Sequence, residues 1–383
     1  MQTRLRGAVP YLIALVIFAS SRLVIALAIK YAATYLKLMN GEQFPADVSW
    51  LNHLLRWDSN WYAQIASQGY SYNVDPNSVG VLVFYPLYPL LSRFVALISG
   101  LGTGHAMLLV ANLAAIGAIV LLFKLVRETF DDTTGYITVA ALSFFPGALF
   151  LSAGYTEPLA LLFALCCFQA LKREHFVIAA VFAGLALGTR SAGLALIPAL
   201  SWELWRKFND QPARLISHGL PCLILATAGL WLYMTYLWAA FGHPFAFADG
   251  QAAYHGGTTF GQRFVAALML EPFTRLRWEV SPPSLDQAFF VLLVFLTILG
   301  IRRLPVSMTL YSAGILLLPY LTLSGGPSGL TSMSRFGLLA FPAFLVLADA
   351  IRSTNWLGPV VIGLFAAILF MYASLFAQWH WVA

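Results

Sequence analysis

Charge is scarce in this chain. Only 10% of its 383 residues are Asp, Glu, Lys or Arg, against about 25% in a soluble domain. Hydrophobic residues make up 60%. That balance excludes a water-soluble enzyme and predicts an all-α polytopic membrane protein. A basic patch is also missing. The formal net charge is +6, but Lys and Arg occur singly or in pairs between apolar runs, as the positive-inside rule expects of a membrane protein and not of a nucleic-acid binder. Cysteine is nearly absent. Cys166, Cys167 and Cys222 lie in apolar runs and two are adjacent, which implies no disulfide framework and no metal site. His53, His243 and His255 lack metal-ligand spacing. Gly256-Gly257 and Gly325-Gly326 follow no strand and precede no Gly-Lys-Ser/Thr, so they are no phosphate loop. Neither a metal nor a cofactor is expected. No repeat, low-complexity tract or linker divides the chain, which reads as one membrane domain over 1–383.

What is present is a series of apolar runs, roughly 10–29, 106–123, 134–151, 157–171, 176–189, 192–205, 215–241, 286–301, 307–323, 335–351 and 356–377. They predict about eleven transmembrane or half-membrane helices, since several fall short of the ~20 residues of a full span. Half-helices are tolerated where they line a cavity. The first run follows Arg4 and Arg6 and is too long for the core of a signal peptide, so it reads as a retained span. Arg4/Arg6, Lys124/Arg127, Lys172/Arg173, Arg206/Lys207/Arg214, Arg302/Arg303 and Arg352 are assigned to the cytoplasmic side. That leaves 31–83, 152–156, 189–191, 242–285 and 324–334 outside. Residues 84–98, with Pro86, Pro89 and Arg93, must then be re-entrant or interfacial.

The first outer stretch holds the sharpest signal. Residues 48–67, VSWLNHLLRWDSNWYAQIAS, read as an interfacial helix. Leu51, Leu54 or Leu55, Asp58, Trp61 or Tyr62, and Ile65 share one face. Asp58 interrupts that apolar stripe, where a carboxylate is costly unless paired or used. Trp50, Trp57, Trp61 and Tyr62 are residue types that anchor at a membrane interface. Other outward segments carry strong polar groups among Gly, Pro and aromatics: Arg56-Trp57-Asp58, Tyr155-Thr156-Glu157, Thr189-Arg190-Ser191, His243 with Asp249 and Gln251, and Ser334-Arg335. Acids and arginines that converge can bind phosphate and abstract a proton. Each has a plainer reading. Asp58 can be one half of a structural ion pair with Arg56 or another loop arginine. Glu157 opens a helix, where the dipole favours an acid. Arg335 also opens a helix, where a cation gains nothing from that dipole, so a snorkelling surface arginine competes with a functional one. Arg190, deep in LALGTRSAGLAL, is expensive to bury without a role.

These residues carry a likeness. RWDSNWYAQIASQGY at 56–70, FYPLYPLL at 84–91, SFFPGALFLSAGYTEPLALL at 143–162, GTRSAGL at 188–194, GHPFAFADGQAAY at 242–254 and SRFGLLAFP at 334–342 resemble the GPI mannosyltransferase II (PIG-V) family, especially its bacterial membrane members, within the GT-C glycosyltransferase class. The resemblance implies a GT-C membrane fold in the plasma membrane and a polyprenyl-phosphate sugar donor, usually mannose. It implies transfer with inversion on the extracytoplasmic face. Asp58, the acid of the first outer loop, matches the family's catalytic position. Trp57, Arg56, Tyr155, Glu157, Arg190, Gln251 and Arg335 are then the substrate-binding candidates. The loop lacks an Asp-x-Asp or Asp-Glu pair, so metal binding is unsupported, and the acceptor (a glycan, glycolipid or protein) does not carry over.

A single displacement follows from this reading. Asp58 takes the proton of the acceptor hydroxyl as that oxygen attacks the anomeric carbon, while Arg190 and Arg335 stabilise the departing phosphate. Tyr155, Glu157 and Gln251 position sugar hydroxyls. The alternative is a transporter or lipid flippase, which also uses broken helices and midplane polar groups. Against it stand long outer loops and no inverted halves. The topology is testable. Single-Cys variants at positions 75 and 257 should react with an impermeant thiol reagent in intact cells, and one at 130 should not. Labelling of 75 without 257 would put the two loops on opposite sides.

Overall fold

The computed structural model describes residues 2–43, 49–72, 80–254, 258–274, 285–325 and 330–382. Every regular element among them is helical. The chain opens with α1 (Gln2–Tyr35), passes a 3₁₀ turn at Trp50–Leu54, and forms α2 (Asp58–Gln68), α3 (Leu87–Ser99), α4 (Thr103–Arg127) and α5 (Asp132–Phe144). A 3₁₀ turn at Pro146–Leu151 leads to α6 (Glu157–Lys172) and α7 (Phe176–Thr189), and another at Ser191–Ala195 leads to α8 (Leu196–Phe208). Then come α9 (Pro212–Arg214), α10 (Leu220–Ala226) and α11 (Ala228–Phe241), followed by the short α12 (Ala246–Tyr254), α13 (Phe260–Leu268) and α14 (Glu271–Thr274). The last part holds α15 (Asp286–Gly300), α16 (Val306–Leu323), α17 (Met333–Phe336), α18 (Phe341–Ile351) and α19 (Leu357–Ala377).

Among the described residues four helices are long and apolar enough to cross a membrane, or up to six if the two bent pairs each count as one span. They face outward with apolar side chains. Leu12, Val16, Leu23 and Leu27 of α1 are all exposed, as a lipid-facing stripe requires. Helix α3 has 13 residues, about 20 Å at 1.5 Å per residue, well short of a ~30 Å hydrocarbon core. Position 130 lies in the turn after α4. The other two labelling positions, 75 and 257, lie outside the described residues.

Proline and glycine set the breaks. Pro146 stops α5 and starts the 3₁₀ turn. Glu157-Pro158 starts α6 with an acid and a proline in its first turn, both favoured there. Helix α11 lies directly on α7. A Cβ at Gly229 would sit 2.2 Å from the Gly184 carbonyl oxygen and 2.3 Å from the Gly188 nitrogen. Only small residues permit two membrane helices to approach so closely.

Helix α4 separates two sets of loops. Its first residues meet the set that carries Asp58, where a Cβ at Gly104 would strike Leu55. Its last residues, about 37 Å away along 25 residues, meet the basic loops. There Arg127 pairs with Asp132 at 2.7 Å, Lys172 with Glu128 at 3.1 Å, Arg352 with Asp131 at 2.7 Å and Arg303 with Asp349 at 3.0 Å, and Lys207 pairs with Glu174. Segments assigned to one face by their charge are therefore stitched to one another.

One continuous interfacial helix over 48–67 is a correction. Residue 48 is outside the described set. The 3₁₀ turn ends at Leu54, the chain breaks over 55–57, and α2 starts at Asp58. The cause is Trp57, whose φ of 55° is incompatible with continuing a right-handed helix. Asp58 is therefore the first residue of α2, where the helix dipole favours a carboxylate, and not the middle of a longer stripe.

An arginine inside the first span also escaped the hydropathy pattern. Arg22 of α1 donates to the carbonyls of Ala148 (2.9 Å) and Ser143 (3.0 Å) and to the Ser152 hydroxyl (2.8 Å). Its guanidinium also lies 4.5 Å from the Phe18 ring centroid. The carbonyls it caps belong to the break around Pro146, where helical hydrogen bonding is interrupted. Backbone groups freed at membrane depth need such partners. Arg22→Met should lower stability by about 3 kcal/mol, read as a lower thermal unfolding midpoint in detergent. An unchanged midpoint would mean that the clamp contributes nothing.

Candidate active site

Two acids and two arginines meet where the turns at the N-terminal end of α4 converge. Asp58 starts α2, Glu157 starts α6, Arg190 ends α7 and Arg335 sits in α17. The Glu157 carboxylate is fully buried and accepts from both arginines through Oε1. Arg335 Nη1 also donates to Asp58 Oδ2 at 2.7 Å. The four formal charges cancel, which makes burial of the set tolerable. Aromatic rings fix the arginines. Arg335 lies 4.6 Å from the Tyr155 centroid and 5.4 Å from that of Phe150, and Arg190 lies 5.1 Å from that of Phe336. Tyr62 is buried beside the cluster, its hydroxyl 3.5 Å from that of Thr156. Burial raises its phenol above the ordinary range, so it stays neutral.

Asp58 and both arginines line a cavity of about 890 Å³, a size suited to a small organic ligand. One wall is aromatic, with Trp57, Trp61, Phe84 and Tyr85 beside Trp379 and Trp381. Another is aliphatic, with Leu194, Ile315, Leu318 and Leu323. Gln251 of α12 also faces the space. Among the described residues no group of three or more His, Cys, Asp or Glu is placed to hold a metal ion.

Of the residues expected to bind substrate, Trp57, Arg190, Gln251 and Arg335 line the cavity with Asp58, and Arg56, Tyr155 and Glu157 do not. These three lie outside the cavity lining. Arg56 turns away, donating to His53 Nδ1 at 2.8 Å and lying 4.4 Å from the Trp379 centroid. Burial, then the charge of Arg56, lowers the His53 imidazolium to about 4, so the ring is neutral and able to accept that bond. Tyr155 is fully buried and donates its hydroxyl to the Arg56 carbonyl at 3.1 Å. Glu157 is occupied by its two arginines. All three stand behind the wall and hold it in shape. Arg335 is 5% exposed, which removes the snorkelling reading. The partner of Asp58 is Arg335, not Arg56. His243 pairs with Asp249 at 2.9 Å, at an exposed position.

Some functional candidates were not anticipated. Asp286, fully buried, accepts the backbone N–H of Ser332 at 2.8 Å and of Ser334 at 2.7 Å. It thereby fixes the turn that presents Arg335. Its signal in the sequence was a lone acid at the start of an apolar run. Gly147 serves the same turn from the other side, because a Cβ there would lie 2.1 Å from the Ser334 carbonyl oxygen.

The family model described as "Mannosyltransferase (PIG-V)" matches residues 40–241. The chain belongs to the PIG-V mannosyltransferase family. Two relatives are GPI mannosyltransferase 2 of Cryptococcus neoformans var. neoformans, 32% identical over 146 residues, and of Drosophila pseudoobscura pseudoobscura, 30% identical over 117. The first match covers 37% of this chain and 34% of the Cryptococcus protein, and the second 28% and 25%. The matched part is therefore about a third of the curated relatives' length or less. Among solved structures, the oligosaccharyltransferase of Archaeoglobus fulgidus in its apo form aligns over 96% of this chain and 56% of its own, with a TM-score of 0.46 and 15% identity. The same protein with an inhibitory peptide and a dolichol-phosphate aligns over 94% and 55%, with a TM-score of 0.40 and 13% identity. Within the PIG-V match lie Asp58, Tyr155, Glu157 and Arg190. Gln251, Asp286, Arg335 and the two tryptophans at 379 and 381 lie beyond it.

Asp286→Ala should weaken the site without touching the cavity wall. Two charge-assisted bonds to backbone N–H groups are lost, each worth about 1.5–3 kcal/mol. The expected readout is a lower unfolding midpoint, together with faster proteolysis within 330–336. An Asp286→Ala protein with the wild-type cleavage pattern would exclude this positioning role.

Proposed function

We propose that this protein is a membrane mannosyltransferase of the GT-C type. It takes mannose from a polyprenyl-phosphate donor and transfers it with inversion to an acceptor hydroxyl on the extracytoplasmic face of a plasma membrane. The observation that carries the reading is the convergence of Asp58, Arg190 and Arg335, from three segments far apart in sequence, on one cavity. Membership of the PIG-V family supports the reaction class, and leaves the transporter alternative without support.

In this mechanism Asp58 accepts the proton of the attacking hydroxyl. The C–O bond to the anomeric carbon forms as the bond to the phosphate oxygen breaks from the opposite face, and the polyprenyl phosphate leaves as its anion. Arg190 and Arg335 meet that charge with donors already fixed by Glu157, so little reorganisation accompanies the step. The phosphate leaves without protonation, so one carboxylate is sufficient where a glycosidase uses two. Arg335 serves both the base and the leaving group. As donor phosphate arrives it competes with Asp58 for Arg335, and the carboxylate becomes a freer base. The aliphatic wall takes the first isoprene units of the donor.

The test is transfer of radiolabelled mannose from polyprenyl phosphate by purified protein in nanodiscs with a panel of glycan and peptide acceptors. Asp58→Asn should lower turnover by roughly 10³-fold while the fold is kept. Arg190→Lys keeps the charge but loses the planar fork, and should cost roughly tenfold. Residual activity of more than a few per cent in the Asn variant would remove Asp58 as the base.

A further inference from the structure

Helix α13 carries a buried charge that neither the fold nor the reaction uses. Arg263 is 8% exposed, and burial lowers its guanidinium below the ordinary arginine value. It remains a cation all the same. Arg22, Arg190 and Arg335 each donate to carbonyls, hydroxyls or carboxylates. Arg263 makes no hydrogen bond or ion pair among the described residues, and its Nε and Nη1 are sealed from solvent without a partner. The third nitrogen, Nη2, is not sealed. Asp286 of α15 is already taken by the N–H groups of Ser332 and Ser334. A cation buried without an acid is costly, and the missing partner it calls for is an anion.

The place of α13 in the fold says which anion. Its inner face packs on the last turns of α16, where the Tyr320 hydroxyl donates to the Ala267 carbonyl at 2.7 Å. The turn after α16 lies flush on the same face. A Cβ at Gly325 would sit 2.9 Å from that of Ala266 and 3.8 Å from Arg263 Cα. Helix α16 is long and apolar enough to span a membrane, and it ends at Leu323. Arg263 is therefore level with the end of a span, the depth at which lipid phosphates lie. The other face of α13 is apolar and open. Phe260, Phe264, Leu268 and Met269 are all exposed, as in a helix that lies along a membrane interface. Phe260 precedes Arg263 by three residues and so stands beside it on the helix surface.

We infer that Arg263 seats the phosphodiester of a membrane glycerophospholipid whose acyl chains lie on the apolar face of α13. Arg263 is not on the wall of the cavity that holds Asp58. The lipid is thus separate from any substrate, and the inference stands apart from the transferase reading. The head group first meets Nη2, and a bidentate seat draws in a second nitrogen of the fork. One phosphodiester carries one negative charge, which cancels that of the guanidinium. The bound lipid ties α13 to the end of α16, whose Thr322 and Leu323 line the catalytic cavity.

The experiment uses the full chain, stripped of lipid in maltoside detergent. Three probes are added in turn: phosphatidylglycerol, monogalactosyldiacylglycerol with the same acyl chains and no phosphate, and inorganic phosphate. Thermal unfolding and native mass spectrometry are the readouts. The wild type should retain one phosphatidylglycerol and unfold about 3 °C higher with it, and the other two probes should do neither. Arg263→Gln should raise the apparent Kd for phosphatidylglycerol by about tenfold. Its midpoint without lipid should equal or exceed that of the wild type, because an unpaired buried cation has been removed. Arg263→Lys keeps the charge without the fork and should recover only part of the affinity. A glutamine variant that fails to fold, or that unfolds earlier in lipid-free detergent, would show that Arg263 serves the protein without a lipid and overturn the inference. Equal stabilisation by the galactolipid would assign the effect to acyl chains, and equal stabilisation by inorganic phosphate to a free anion. Either overturns it too. So would lipid retention that Arg263→Gln keeps and Arg190→Lys loses, which would place the lipid in the catalytic cavity.

Discussion

One oxygen holds the centre together. Oε1 of Glu157 accepts from Arg190 and from Arg335, and Arg335 in turn reaches Asp58. Three segments that otherwise share little are joined through that carboxylate. Two guanidinium groups placed side by side repel unless an anion stands between them, and burial strengthens the repulsion. Glu157 therefore does more than neutralise charge. It makes possible a pair of arginines close together on one cavity. The neighbouring turns are arranged around this pair. Asp286 and Gly147 fix the turn that carries Arg335, and Phe336 and Tyr155 flank the guanidinium planes.

Much of this was legible in the sequence, and the limits have physical causes. The all-helical, apolar character was readable because hydropathy is a local property. Asp58 stood out because a carboxylate on an apolar face is costly, and Arg190 because its surroundings are apolar on both sides. The break at Trp57 was not readable, since a left-handed residue that is neither glycine nor asparagine has no local signature. Arg22 was hidden by the strength of the run around it, because the average over a long apolar window absorbs one charge. Tyr155, Glu157 and Arg56 were grouped with the substrate-binding candidates as polar groups near Asp58, and they lie outside the cavity lining. Which side chain faces a cavity and which braces it depends on contacts between segments hundreds of residues apart. The aromatic wall belongs to the same class. Trp379 and Trp381 drew no sequence reading, and only their packing against Arg56 and Trp57 brings them to the site.

The two ends of the bundle differ in how they use charge. At the basic end, ion pairs such as Arg352–Asp131 and Lys172–Glu128 lie between partly exposed side chains. Such pairs contribute little stability each, and their effect is to fix which loops neighbour one another. At the other end the charges are buried, shared and few. The first arrangement tolerates substitution, whereas the second leaves an uncompensated buried charge when any member is removed.

Arg22 has a consequence for the order of events during synthesis. Its partners Ser143, Ala148 and Ser152 follow it by 121 to 130 residues. The first span is thus complete and in contact with lipid long before the carbonyls that accept its arginine exist. An arginine at the middle of a lone helix costs about 2.5–3.5 kcal/mol to insert. The surrounding 29-residue segment, with mean hydropathy 2.5 over its most apolar window, is hydrophobic enough to carry it. Early insertion of this helix is consequently independent of the later chain, but its final rotation about its own axis is not. The nascent helix waits in the bilayer with an unsatisfied cation, and the arrival of the Pro146 break gives that cation a single place to go. The arginine acts as a registration pin that decides, late and once, which face of the first helix turns inward.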